Sequence, residues 1–241
     1  MLKTLRNSGN SINCEKIVDY IENEIIQGRL RKGDKLPTER KMAEDMEVSR
    51  ASVREAIKAL EVMGIVKSIQ GSGNYITDDP DSTVNRPLCA LFALNDGTLD
   101  NLLQLRIMLE AEACRDIVKN ASDEDIAALS KLASYDYDNL PIAEQAVCDS
   151  AFHRGIVHMS RNTLVKYLYT TLARLMDASR VRVLAATADR GENHITRDDH
   201  AEIVSALAHR DAAGAVEAVQ RHLELNREYR EMLDTPYRKL M

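Results

Sequence analysis

Apolar residues recur at helical spacing over most of this chain, and the interruptions mark its organisation. Ser11 can cap a helix running to about residue 27, with Ile12, Val18, Ile21, Ile25 and Ile26 directed toward a core. Gly28 and Gly33 punctuate its exit. Thr38 can open a short helix through about residue 45, and Ser49 a third through about residue 63, closed by Gly64. The rhythm then shortens to two strands, 65–69 and 74–77, with Gly71-Ser72-Gly73 as the turn between them. Residues 77–98 break the pattern with Asp78-Asp79-Pro80-Asp81-Ser82, Pro87 and Asn95-Asp96-Gly97, and Leu88 to Leu94 forms a short apolar stretch suited to a docked helix.

Everything beyond that boundary reads as helix. Leu99, Leu102, Leu103, Leu109 and Ala113 make one stripe over 98–120, and Ser122 followed by three carboxylates is a strong helix start. Further helices fit 141–160, 162–186, 198–209 and 212–232, with Asn162 and Asp211 as N-caps. Short connections between helices imply a bundle. The expected architecture is mainly α: an N-terminal winged helix-turn-helix over 1–77, a linker over 78–97 and an all-α helical bundle over 98–235.

Composition changes this picture little. The 241 residues are 44% hydrophobic, with no Trp and two Phe, so aliphatic side chains carry the packing. No run approaches the ~18 apolar residues of a membrane span, and MLKTLRNSGNS lacks the apolar core of a secretory signal. Cys14, Cys89, Cys114 and Cys148 show no metal or redox spacing and read as reduced thiols, so a cytoplasmic location is expected. The net charge of -6 is unevenly spread: residues 1–77 hold 13 basic against 11 acidic side chains, whereas 78–241 hold 19 against 27. A mildly basic head on an acidic body is compatible with DNA binding by the head alone.

The stretch 36–77 carries the sharpest chemistry. Val53, Ala56, Ile57 and Leu60 can pin the longer helix to its neighbours, leaving Arg50 and Arg54 to project from its N-terminal end. A recognition helix meets the major groove there, and a guanidinium suits both guanine and phosphate. Arg40 on the preceding helix can reach the backbone or a base. The glycine-tipped hairpin lets backbone N–H groups approach DNA, with Gln70 beside it. The expected DNA-binding set is Arg40, Ser49, Arg50, Ser52, Arg54, Gln70, Gly71, Ser72 and Gly73.

Leu36-Pro37-x-Glu39-Arg40, Val48-Ser49-Arg50, Val53-Arg54-Glu55-Ala56, Gly64-Ile65-Val66 and Gly71-x-Gly73 together resemble the GntR family of bacterial regulators. The resemblance covers residues ~12–77. It implies DNA contact at Arg40, Arg50, Arg54 and the wing, and a homodimer on a short double-stranded palindromic operator.

The acidic body holds a sparser constellation. Asp149 and His153 are four apart and share a helical face, His200 opens a later helix and His222 lies in the last. One carboxylate and three imidazoles can bind a divalent ion, although by residue type His158, His194 and His209 compete as ligands. The deaminase HxE…PCxxC and HExxH signatures are absent.

Residues ~95–235 are similar to the FCD-type effector domain of the FadR subfamily. The matching pieces are Arg106-x-x-x-Glu110, Asp149-x-x-Phe152-His153, Asn162-x-Leu164, Asp199-His200-x-x-Ile203 and Gly214-Ala215. That resemblance selects Asp149, His153, His200 and His222 as the metal ligands of its metal-binding branch and argues against an acyl-CoA effector. Zinc suits this set first, with nickel or manganese also compatible. Arg106 shares a helical stripe with Leu102 and Glu110, an odd place for a charge if that stripe is buried; it either pairs internally with Glu110 or, by resemblance, clamps an effector carboxylate, and both can hold. The expected function is a regulator, with repression the commoner logic, answering to a sugar acid or hydroxycarboxylate bound at the metal pocket. A regulator that answers to the ion itself is the alternative; an enzyme is not expected, because no motif supplies a general base beside the metal.

Overall fold

A computed structural model describes residues 2–78, 85–135, 140–173, 175, 185 and 193–225. The chain separates into two compact units, 1–86 and 87–241, each with its own hydrophobic core.

The first unit holds helices α1 (Leu2–Ile26), α2 (Glu39–Asp45) and α3 (Arg50–Val62), then strands β1 (Val66–Ile69) and β2 (Gly73–Ile76). The sequence explains their ends. Thr38 and Ser49 adopt extended backbone and accept from the Lys41 and Ser52 amides, satisfying donors that a helix start leaves open. Gly64 leaves α3 at φ +74°, a conformation costly to residues with a Cβ. β1 and β2 pair antiparallel, with Val66 opposite Ile76 and Ile69 opposite Gly73. Their inward ends, Val66 and Ile76, join Ile17, Ile21, Leu36, Met42, Val53, Ala56, Ile57 and Leu60 in one core. Complete burial of an aliphatic side chain such as Ile17 or Leu60 is worth about 1.5–3 kcal/mol. A winged helix-turn-helix results.

The start of α1 differs from the expectation. Helical backbone begins at Leu2, so Ser11 lies within the helix instead of capping it. Ile17 and Ile21 carry the burial, Val18 and Ile25 are partly buried, and Ile12 and Ile26 are exposed. Ile17 falls one turn before Ile21 and completes the stripe; Ile26, next to the exit, runs off the end of the face.

The second unit contains helices α4 (Asn85–Leu94, beginning just before the boundary), α5 (Leu99–Asn120), α6 (Asp123–Ala133), α7 (Ile142–Met159), α8 (163–173), α9 (Asn193–Ala208) and α10 (Ala212–Leu225). Leu88, Phe92 and Ala93 of α4 pack on the unit's core, so the expected docked helix is present. Thr98 with Asn101, and Ser122 with Asp125, form reciprocal caps for α5 and α6. Asn162 accepts from the Leu164 and Val165 amides, and Asp211 from the Gly214 amide. α5 packs against α7 and α10, α10 against α9, and α6 against α7 and α9. Phe152, Ile156, Ile117, Ile203, Leu207, Val219 and Leu223 are buried between them. The parts of the expected helices over 174–186 and beyond 225 lie largely outside the described residues.

Candidate functional site

In the first unit, α3 exposes the arginines that the pattern assigns outward. Arg50 occupies its first position and Arg54 the next turn, both exposed. Arg54 Nε and Nη2 each lie 3.4 Å from Glu39 Oε2 of α2. Arg40 is 71% exposed along its side chain and 3.7 Å from Glu44. Ser49 and Ser52 differ from these. The Ser49 hydroxyl caps α3 and lies 2.9 Å from Ser52 Oγ, and Ser52 is fully buried. Ser52 therefore faces inward, because the turn that presents Arg50 and Arg54 rotates it under the helix.

At the wing, Gln70, Gly71, Ser72 and Gly73 are all exposed. Gly71 at φ +76° and Gly73 at φ +127° make a turn that other residues adopt only with strain. Tyr75 Oη lies 2.6 Å from Ser72 Oγ, and Lys35 Nζ sits 5.5 Å from the Tyr75 ring centre, so the tip is braced from below.

In the second unit, Asp149 and His153 of α7, His200 of α9 and His222 of α10 converge, all buried. The three Nε2 atoms form a nearly equilateral triangle with edges of 3.3, 3.2 and 3.2 Å. Asp149 Oδ1 lies 3.4 Å from His153 Nε2 and 3.3 Å from His200 Nε2. Two nitrogens bound at ~2.1 Å to one ion are about 3.0 Å apart at a right angle and about 3.4 Å apart at a tetrahedral angle. The observed edges fall between these values.

The opposite side of two rings explains the convergence. His153 Nδ1 is 2.6 Å from Glu110 Oε2, and His222 Nδ1 is 3.1 Å from Asp199 Oδ2. A carboxylate at Nδ1 holds the proton there and turns the Nε2 lone pair inward. Phe152 stacks on His200 with ring centres 4.0 Å apart. Burial lowers the pKa of His200 to about 3, against its hydrogen bond to the Asp149 carboxylate, and the other two imidazoles push it further down. Burial lowers His222 as well. Neutral imidazoles crowding lone pair against lone pair are unfavourable by themselves; a cation among them reverses the sign. The donor set thus fits a divalent ion bound by Asp149, His153, His200 and His222. His158 and His209 are exposed and elsewhere, and the His194 side chain lies outside the described residues.

Beside the cluster lies a second buried pair. Arg106 Nε is 2.6 Å from Glu110 Oε1, and Tyr169 Oη donates to the same oxygen at 3.4 Å. Burial alone would raise the Glu110 pKa, but His153 and Arg106 overcome it and bring it to about 2. Burial likewise opposes the charge of Arg106, and Glu110, Tyr169 and Asp149 more than restore it. Arg106 Nη2 is buried without a hydrogen-bond partner, 3.9 Å from Asp149 Oδ2. The internal pairing expected for Arg106 is present, and one donor is left over. The roles of Glu110 and Asp199 toward the imidazoles were not legible in the sequence. The only local signal was a carboxylate four residues after Arg106 and another beside His200.

A winged helix-turn-helix head followed by a helical unit with a buried Asp/His cluster able to hold an ion is the make-up of a transcription regulator with an effector domain. Comparison with known proteins specifies it. Residues 13–76 match the family described as "Bacterial regulatory proteins, gntR family", and residues 101–225 match the FCD domain. The chain belongs to the GntR family of DNA-binding regulators and carries an FCD effector domain. It is 29% identical over 205 residues to the HTH-type transcriptional regulator LutR of Bacillus subtilis, covering 83% of this chain and 92% of that one. It is 28% identical over 214 residues to the HTH-type transcriptional repressor NanR of Klebsiella aerogenes, covering 87% and 82%. A solved structure of Streptococcus agalactiae GntR has the same fold, with a TM-score of 0.62 at 23% identity, over 89% of this chain and 99% of that one.

Proposed function

We propose that this protein is a cytoplasmic repressor released from its operator by a small organic acid. Two copies bind a palindromic site as a homodimer, with Arg40, Arg50, Arg54 and the 70–73 wing against DNA. Ser49 and Ser52 act one step behind, holding the start of α3. Asp149, His153, His200 and His222 hold a divalent ion, with zinc first and nickel or manganese also suited to the set. When bound, that ion supplies a Lewis-acidic centre for an oxygen ligand.

The observation that carries this reading is the orphaned Arg106 donor. A buried charged N–H without a hydrogen bond is costly, and here Nη2 has only the Asp149 carboxylate 3.9 Å away, on the side of the cluster. A carboxylate is the ligand whose oxygen satisfies it. Sugar acids and hydroxycarboxylates bring a second oxygen donor and fit the pair best. The acid changes DNA affinity only by binding the two operator-competent and incompetent states unequally.

The test is a DNA-shift titration on the protein's own upstream region with a panel of hydroxy and sugar acids, run on the native protein and His200→Ala. One acid should release the native protein and leave the variant bound. Release by added metal, with every acid inert, would overturn the acid reading in favour of an ion-responsive regulator. Absence of specific DNA binding would sink the whole proposal.

A further inference from the structure

Two carboxylates touch both halves of the proposed effector site: Asp149, itself one of the four clustered groups and 3.9 Å from Arg106 Nη2, and Glu110 behind it. Glu110 is fully buried in the middle of α5, where its two oxygens take different partners. Oε2 meets His153 Nδ1 at 2.6 Å, and Oε1 meets Arg106 Nε at 2.6 Å, with the Tyr169 hydroxyl at 3.4 Å on the same oxygen. His222 has a carboxylate partner too, Asp199, but nothing shown ties Asp199 to Arg106, and the Asp199 side chain is partly open to solvent.

The chemistry of the two groups makes this bridge consequential. Arg106 presents five N–H donors in a rigid fork. Glu110 occupies the Nε edge, and that occupancy fixes the plane of the guanidinium and the direction of the unpartnered Nη2. The same carboxylate fixes the ring of His153 and the Nδ1–H tautomer that leaves Nε2 free for an ion. One rigid group therefore sets the aim of an anion donor and of a metal donor together.

We propose that Glu110 is the positioning residue that couples metal and carboxylate binding, so that losing it weakens both, whereas losing Asp199 weakens the metal alone. This rests on the reading of the cluster as a metal-and-acid site. It goes beyond that reading in assigning the link to one residue.

The full-length protein is loaded with Co2+ as a spectroscopic probe, and its visible absorbance is followed first against Co2+ and then, at saturating Co2+, against acetate. Glu110→Gln should lower Co2+ affinity about 10–100-fold. It should also weaken acetate binding to the Co2+-saturated protein on the order of tenfold. Asp199→Asn should lower Co2+ affinity with acetate binding within about twofold of native, since no contact joins it to the anion donor. Glu110→Asp keeps the charge but is one methylene too short to hold both partners at 2.6 Å; it should also lose acetate affinity. This variant carries the test if Glu110→Gln does not fold. Native-like acetate binding in the folded Glu110 variants overturns the proposal, as does an equal loss in Asp199→Asn. A native protein that shows no Co2+ spectrum overturns the metal site itself, and the coupling with it. A native protein that binds Co2+ and ignores acetate removes the carboxylate half.

Discussion

Single side chains at the buried cluster set the pH behaviour of the second unit. An exposed imidazole titrates near 6.5, whereas desolvation holds His200 at about 3 in the folded chain. Between these values the unfolded chain binds a proton that the folded chain refuses, so stability falls as pH falls. Chelator-treated protein should therefore lose melting temperature progressively below about pH 6.5, with the contribution of His200 exhausted near pH 3. A midpoint that stays flat from pH 7 to pH 4 would contradict the burial of His200 as a neutral ring. The exposed arginines proposed to face DNA obey different physics. Arg54→Ala should cost about 1–3 kcal/mol of specific binding and relax preference at one operator position, as loss of a base-reading fork does. If it weakens all sequences equally, Arg54 is a phosphate contact only. Arg106→Gln removes the orphaned donor and should abolish release by the acid while leaving operator affinity near native, measured in the same shift assay.

Helix ends were the most legible part of the sequence, because caps are local. Thr38, Ser49, Ser122, Asn162 and Asp211 each sit where a short polar side chain can reach an amide two or three residues on, and each does so. Ser49→Ala should cost about 1 kcal/mol of first-unit stability. It should also loosen the start of α3, measurable as faster amide exchange at Ser52, whose N–H the hydroxyl accepts. Unchanged exchange there would place the N-terminal order of α3 in tertiary packing. Ser11 shows the limit of the same logic: a capping residue marks a start only where the chain before it leaves the helix, and here helical backbone begins at Leu2. The convergence of Asp149, His153, His200 and His222 was legible only in part. The i, i+4 spacing put Asp149 and His153 on one face, but bringing His200 and His222 to them depends on how α9 and α10 pack. Glu110 was the least legible, since its bond to His153 spans 43 positions and leaves no local trace.

For the whole chain, two separate cores imply two separable melting events. The ligand cluster lies wholly in the second unit, so removing the ion should move one transition and spare the other. For an ion held at about a thousand times its dissociation constant, the stabilisation is about 4 kcal/mol. Chelation should then lower that transition on the order of ten degrees. Coincident movement of both events in a calorimetric scan would show that the units melt as one. The burial of the four ligands also has a kinetic side. Donors this deep, on three helices, would release a bound ion only when part of the bundle opens, and such opening is governed by local unfolding. Residence time, measured by isotope exchange, should therefore track the opening rate of the bundle and be indifferent to the free metal concentration outside. On the proposed reading, an ion installed once and carried for the life of the molecule would be a built-in component, leaving the freely diffusing acid to convey news of the cell's metabolism.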